Sequence, residues 1–177
     1  MLLTGERAAI GPLRRDLVPH YTRWVNDLEV RRGAAQIGLH TEDAQLRWYE
    51  EMSAASAEMH PKRAIFTVYD RRDETPVGTS SLFAVNYRMG TAHLGIGLGE
   101  RRGEGLGTEA TQLTARWAFE VLGLHHVSLE AADWNVAAIR AYEKAGFKLV
   151  GRRRGAMVTG GVRCDEVLMD AVAPDFT

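Results

Sequence analysis

The stretch Leu94-Gly95-Ile96-Gly97-Leu98-Gly99-Glu100-Arg101-Arg102-Gly103-Glu104-Gly105-Leu106-Gly107-Thr108 is where residue types and spacing first point to chemistry. A strand pattern enters, a glycine-rich turn follows, and an amphipathic helix pattern leaves. The first amides of a helix have no acceptor within it, and the helix dipole adds partial positive charge there. Small residues let a phosphate approach those amides closely, so the turn suits a di-anion such as a pyrophosphate. Two phosphate-binding frames fail here. A Walker A loop ends in Gly-Lys-Ser/Thr, and Gly107-Thr108 has no lysine before the threonine. A dinucleotide fingerprint counted from Gly103 and Gly105 needs glycine where Thr108 stands. What remains is Arg102-x-x-Gly105-x-Gly107.

The rest of the chain must position that turn. Residues 8–13 read as a short first strand ended by the Gly11-Pro12 break. A helix is predicted over 15–27, with Leu17, His20, Tyr21, Trp24 and Leu28 on one face. Thr41 is an N-cap for a second helix to about 53, burying Leu46, Trp48, Tyr49 and Met52. Residues 63–69, 77–87 and 91–98 then alternate as strands, a meander with a polar turn at 71–76. A helix over 108–122 carries the stripe Leu106, Ala110, Leu113, Trp117 and Val121, and Gly123 stands where a left-handed cap is wanted. Val127, Leu129 and Ala131 alternate in a strand. Asn135 caps a helix over 136–144 that Gly146 ends, and 147–153 and 164–172 form a final strand pair. The order is β-αα-βββ-α-β-α-ββ. It predicts an α+β fold, a mixed central sheet of about seven strands flanked by helices, within one domain over 1–177.

Composition narrows the setting. The chain has 177 residues and a formal net charge of −1, with mean hydropathy −0.23. That balance speaks against a nucleic-acid footprint. No apolar run approaches the ~18 residues of a spanning helix, and the start Met1 to Glu6 lacks the pattern of a secretory leader. A cytoplasmic protein with no membrane partner is expected. Cys164 is the one cysteine and sits in a predicted strand with no motif around it, so it reads as structural. Arg152-Arg153-Arg154, placed between the last strands, meets either an acidic group or water.

Arg102-x-x-Gly105-x-Gly107 resembles the pyrophosphate signature Gln/Arg-x-x-Gly-x-Gly/Ala of the GNAT superfamily of N-acetyltransferases. Asn135-Val136-Ala137-Ala138-Ile139-Arg140-Ala141-Tyr142-Glu143-Lys144-Ala145-Gly146-Phe147 is similar to that family's segment N-x-x-[SA]-x-x-x-[YF]-x-x-x-G-F. The two occur in the family's order, and the likeness covers the chain well from Thr91 onward. Tyr21 to Val30 also looks like the W-x-N-D-x-x-V segment of the Rim-type branch, the ribosomal-protein N-terminal acetyltransferases and their relatives.

The resemblance implies a GNAT fold, acetyl-CoA as co-substrate, no metal, and direct attack of a primary amine on the thioester. The amine belongs to a small molecule or a peptide N-terminus. The donor would lie along Ile96, Gly97 and Leu98, where backbone groups of a splayed strand meet its pantetheine arm. Its diphosphate would be held over Arg101, Arg102, Gly103, Glu104, Gly105, Leu106, Gly107 and Thr108, with Asn135 and Tyr142 nearby. The Tyr142 hydroxyl is implied near the sulfur, as the acid for the departing thiolate; the alternative is that it only packs with Ile139. Many relatives carry a glutamate where this chain has His93, which leaves the base open between His93 and Glu130. Trp24, Asn26 and Asp27 are implied to wall the acceptor pocket. Asp27, Glu29, Glu42 and Asp43 fit either a cationic amine or ordinary helix-end charges. The competing function is a non-catalytic acyl-CoA-binding sensor or scaffold on the same fold. The final strands offer a surface for a homodimer.

Overall fold

Successive side chains of a strand point to opposite faces, and this chain buries both. Ala8, Ile10, Phe66 and Val68 enter one core, while Ala9 and Tyr69, their alternating neighbours, enter another. The computed structural model describes residues 1–33 and 38–176. Its strands are β1 (Leu3–Thr4), β2 (Ala8–Pro12), β3 (Ala64–Asp70), β4 (Thr75–Asn86), β5 (Thr91–Leu98), β6 (His126–Ala132), β7 (Lys148–Thr159) and β8 (Val162–Val172). They form one sheet in the order β1-β2-β3-β4-β5-β6-β8-β7. All pairings are antiparallel except β5 with β6.

The larger core lies under α4 (Leu106–Arg116) and α5 (Val136–Lys144), where Leu106, Ala110, Leu113 and Tyr142 meet Leu94, Leu129 and Met169. The smaller core lies under α1 (Val18–Asn26) and α3 (Glu42–Ser56), with Leu17, Tyr21, Trp24 and Met52. Tyr21 fixes α1 to the sheet, because its hydroxyl meets Thr67 Oγ1 at 2.5 Å and accepts from the Arg14 amide at 3.1 Å. The helix starts follow local chemistry. Thr41 Oγ1 accepts from the Ala44 amide at 3.2 Å, and Asn135 Oδ1 from the Ala138 amide at 3.2 Å. Each cap answers one of the orphan donors of a first turn.

Several expectations need correction. The sheet has eight strands rather than about seven, because β1 adds a short antiparallel edge before β2. Leu28 does not share the buried face of α1; it is 81% exposed. Asp27 is extended (φ −64°, ψ 127°) and its carboxylate accepts from the Glu29 and Val30 amides, so α1 stops and a short α2 (Leu28–Gly33) starts at a new angle. The helix expected over 108–122 begins two residues earlier, at Leu106, because Gly105 takes the left-handed region (φ 83°) as its N-cap.

That helix is also not α throughout. Trp117–Val121 is a π turn, with the Leu122 amide donating to Trp117 O at 3.1 Å. The extra residue per turn rotates Val121 off the apolar stripe to 52% exposure and leaves Ala118 buried. Finally, Arg152–Arg154 lie inside β7 rather than between strands. The hairpin turn is Gly160-Gly161, both at positive φ (56° and 78°), with Thr159 opposite Val162. A two-residue Gly-Gly turn is a standard hairpin signal, and it was there to be read.

One contact ties the N-terminal hairpin to the helix of the glycine turn. The Glu109 carboxylate accepts from the Glu6 and Arg7 amides, both at 2.7 Å, and from the Ala8 amide. A methyl at Gly5 would stand 2.3 Å from Glu109 Cδ, so the bend closes tightly on the carboxylate. Hydrogen bonds to a charged group are the stronger kind, and orphaned amides add to the loss. Glu109→Ala is expected to destabilise by about 2 kcal/mol, roughly 4–8 °C in Tm for a chain of this size. A melt within about 1 °C of the parent would show that the three bonds carry no net stability.

Candidate active site

Four elements converge on the glycine turn. β5 runs into it, α4 leaves it, the β3–β4 hairpin clamps its outer side, and α1–α2 flanks its inner side. The clamp is ionic. Asp70 is fully buried and receives Arg72 at 2.6 Å and Arg101 at 2.5 Å, while Arg101 also reaches Asp73 at 2.6 Å. Arg72, followed by Arg101, holds the Asp70 carboxyl well below the usual carboxylate range. Arg101 does the same to Asp73, lowering it to about 2. The Arg101 side chain is thus committed to the hairpin, against the expectation that it faces a cofactor. Glu104 is likewise engaged, through an ion pair with Arg72.

Arg102 turns the other way. Its Nε donates to Leu98 O at 2.7 Å, and its guanidinium pairs with Asp27 at 2.9 Å and with Glu29. The Val30 amide and then Arg102 keep the Asp27 carboxyl below its ordinary range. The signature arginine is therefore neutralised by α1–α2, a contact that no local pattern announces.

The amides of α4 are available. Gly105, its N-cap, has no side-chain cap bond among the described residues. The first amide with an acceptor in the helix direction is Glu109, to Gly105 O at 3.3 Å. Leu106, Gly107 and Thr108 therefore start the helix with donors facing outward. The only carboxylate of this first turn, Glu109, is occupied by the β1–β2 bend.

Next to this turn the sheet opens. β5 and β6 pair over Thr91–His126, Ala92–Val127 and His93–Ser128, and there the ladder ends. β5 continues to Leu98 on β4, and β6 continues to Ala132 on β8. Ile96, Gly97 and Leu98 thus line a strand edge with no neighbouring strand. Apart from Leu98 O, which accepts from Arg102 Nε, backbone donors and acceptors on that edge need a partner from outside the chain. Above Gly97 lies α2, whose Val30 Cγ1 stands 3.6 Å from where a Gly97 Cβ would be. Arg32 of α2 stacks over Trp134 at 4.2 Å, so α2 spans from the glycine turn toward the β6 side.

At the last rung three side chains meet. His93 Nδ1 is 3.1 Å from Ser128 Oγ and 3.2 Å from Glu130 Oε1, and its ring stacks on Phe83 with centroids 5.5 Å apart. The two residues between which the base was left open are neighbours. Ser128 was missed, since parallel register cannot be read from one strand. Tyr142 is 9% exposed and belongs to the core against which Ile96 and Leu98 pack. Burial pushes its phenol up to about 12, and among the described residues its hydroxyl has no hydrogen-bond partner.

The expected acceptor residues are less free. Trp24 is 5% exposed, lies where a Gly99 side chain would be, and donates to Glu100 at 3.1 Å. Asn26 binds Thr22 O at 2.9 Å and His40 O at 2.7 Å. Asn26 and Asp27 do line an open hollow with Pro19, Thr22, Arg23 and Glu42. Cys164 contacts Met157 O and Thr159 Oγ1 at 3.7 and 3.9 Å. Among the described residues there is no group of three or more His, Cys, Asp or Glu that could hold a metal, and no helix long and apolar enough to cross a membrane.

Comparison with known proteins identifies the family and the fold. The family model described as acetyltransferase (GNAT) domain matches residues 7–148. The probable N-acetyltransferase YjcK of Bacillus subtilis (strain 168) is 29% identical over 175 residues, spanning 87% of this chain and 96% of that protein. Alpha/beta-tubulin-N-acetyltransferase 9 of Mus musculus is 26% identical over 162 residues, 84% of this chain and 65% of the mouse protein. In fold, spermidine N-acetyltransferase from Vibrio cholerae, solved with CoA and spermine, superposes with TM-score 0.85 at 19% identity, covering 97% of this chain and 98% of that one. Ribosomal-protein-S5-alanine acetyltransferase from Vibrio fischeri superposes with TM-score 0.82 at 16% identity, covering 99% and 98%. The chain belongs to the GNAT acetyltransferase family and is an acetyl-CoA-dependent N-acetyltransferase.

Proposed function

We propose that this protein, as one domain over 1–177, acetylates a primary amine by direct attack on acetyl-CoA, within the Rim-type branch. The observation that carries this reading is the opened β5–β6 ladder beside the uncapped start of α4. The amides of Leu106, Gly107 and Thr108 suit the diphosphate, and the free edge at Ile96, Gly97 and Leu98 suits the pantetheine amides. Asn135 holds the start of α5 so that Tyr142 reaches the core between the two walls.

The acceptor is a small-molecule amine or a protein N-terminus. The spermidine and ribosomal-protein-S5-alanine acetyltransferases that share the fold support an amine, and the Tyr21 to Val30 segment supports the branch. Acetyl-CoA as donor and the free Cys164 support a cytoplasmic setting. Leu149, Val150, Val158 and Val162 are exposed on the last hairpin and support a homodimer there.

The high value of the Tyr142 phenol limits its role. A phenol that burial has pushed up to about 12 is a weaker acid than a thiol, so complete proton transfer to the sulfur is uphill. Tyr142 instead donates a hydrogen bond to the sulfur as negative charge grows on it. A bond to a charged acceptor contributes about 1.5–3 kcal/mol. Tyr142→Phe is therefore expected to lower kcat about 10- to 100-fold with acetyl-CoA affinity unchanged. An unchanged kcat would remove the role.

A thermal shift with acetyl-CoA, CoA, ATP and NAD tests the whole reading, since ligand at 100 times Kd adds about 2.7 kcal/mol. Stabilisation by the two CoA species and by neither nucleotide is expected, followed by thiol release with some member of an amine panel. Stabilisation without thiol release would instead identify the silent acyl-CoA binder.

A further inference from the structure

We propose that Glu130, together with Ser128, is a positioning residue that holds His93 in the one tautomer able to take the proton of the attacking amine. This rests on the N-acetyltransferase reading and deepens it. His93 occupies the last rung before the ladder opens, so its ring stands at the mouth of the gap rather than within the paired sheet. Glu130 is two residues beyond Ser128 on β6, hence on the same face, and both approach one atom, Nδ1, at 3.2 and 3.1 Å. Ser128 Oγ meets Nδ1 in hydrogen-bond geometry with the Glu130 oxygen beside it, and a negative charge that close favours an N–H over a bare lone pair at that nitrogen. The geometry therefore assigns the hydrogen to Nδ1 and leaves Nε2 as the basic nitrogen, the one without a protein partner among the described residues. Phe83, stacked at an interplanar angle of 21°, fixes the plane of the ring.

In the reaction the amine lone pair forms the N–C bond to the acetyl carbon, and the C–S pair leaves on sulfur. The proton released from the amine nitrogen passes to Nε2. The imidazolium so formed is balanced by the Glu130 carboxylate and returns its proton to solvent, to which the side chain is 41% exposed. The thiolate takes a proton from water, so the products are the N-acetyl amine and the thiol.

A second pair supplies a built-in control. His126 Nε2 lies 3.1 Å from Asp170 Oδ2, and Asp170 stands directly across from Ser128 on β8. It therefore carries the same charge on the same sheet face, without touching His93.

The test combines a kinetic cycle with a spectroscopic readout. His93→Ala is expected to lower kcat about 100-fold and Glu130→Gln about 10-fold, with KM for the amine and affinity for acetyl-CoA unchanged. The double variant should be no slower than His93→Ala alone, because Glu130 acts through the imidazole. Asp170→Asn should match the parent. A rise in amine KM in Glu130→Gln, additive losses in the double variant, or an equal loss in Asp170→Asn would each overturn the proposal. Independently of turnover, 15N NMR of the neutral His93 ring should show the Nδ1–H form in the parent and a growing Nε2–H form in Glu130→Gln. An Nε2–H ring in the parent sinks the pairing even if the enzyme is active. Absence of thiol release with every amine sinks the acetyltransfer reading while the spectrum still decides the pairing.

Discussion

Gly107→Asp is expected to fold at least as well as the parent chain and to lose acetyl-CoA. Gly107 is the second residue of α4, counted from the Gly105 cap. A side chain there has room, since its Cβ would meet only Leu98 Cδ1 at 3.4 Å. Replacing glycine in a helix gains up to about 1 kcal/mol, and a carboxylate in the first turn adds about 0.3–1 kcal/mol through the dipole. Both gains belong to the free protein. For the diphosphate the same carboxylate is an occupant of its site and a like charge. At an effective dielectric of about 20, unit charges about 5 Å apart repel by roughly 3 kcal/mol. Affinity for acetyl-CoA should therefore fall at least about 100-fold while Tm stays level or rises. Calorimetry alongside a thermal melt separates the two effects. Affinity within about tenfold of the parent would mean that the diphosphate does not rest on these amides.

The second large effect is on the other wall of the opening. Gly78 of β4 is buried opposite Leu98, and a Cβ there would lie 2.3 Å from Gly97 O and 2.8 Å from Leu98 Cα. Those are backbone atoms of a paired strand and have no rotamer to yield. Gly78→Ala must push β4 and β5 apart just where β5 already lacks a partner on its far side. Overpacking of this kind costs about 1–3 kcal/mol in ordinary cores, and the rigid neighbour puts this case at the upper end. A fall in Tm of roughly 6–12 °C is expected, with acetyl-CoA binding lost in the fraction that remains folded. Gly97→Ala is the matched comparison, since its nearest neighbour is the movable Val30 Cγ1 at 3.6 Å. It should melt within about 3 °C of the parent. Equal losses in the two variants would contradict the assigned register of β4 on β5.

The contrast between these glycines shows what a single chain can reveal. The caps at Thr41 and Asn135 and the stripe of α4 up to Trp117 were legible, because each depends on residues within one or two turns. The π turn was not, since the residues that pack against it, such as Phe66 on Trp117, come from a distant strand. The glycine turn was legible as a strand-to-helix turn, but not the direction of its arginines. Asp73 reads as part of the polar turn at 71–76, and Asp70 carries no signal, until the β3–β4 hairpin brings both under Arg101. His93 and Glu130 were each named as separate candidates and not as a pair, because nothing in either strand states their relative register.

The three rungs joining β5 to β6 also have a mechanical meaning. On one side of that short seam stand β1 to β5, on the other β6, β8 and β7, each half internally well zipped. Fluctuations that part the halves break few bonds, so the seam is where the free protein breathes most easily. A donor lodged in the opening, as proposed, would splice the halves into one continuous sheet. Occupancy would thereby be converted into stiffness across the seam.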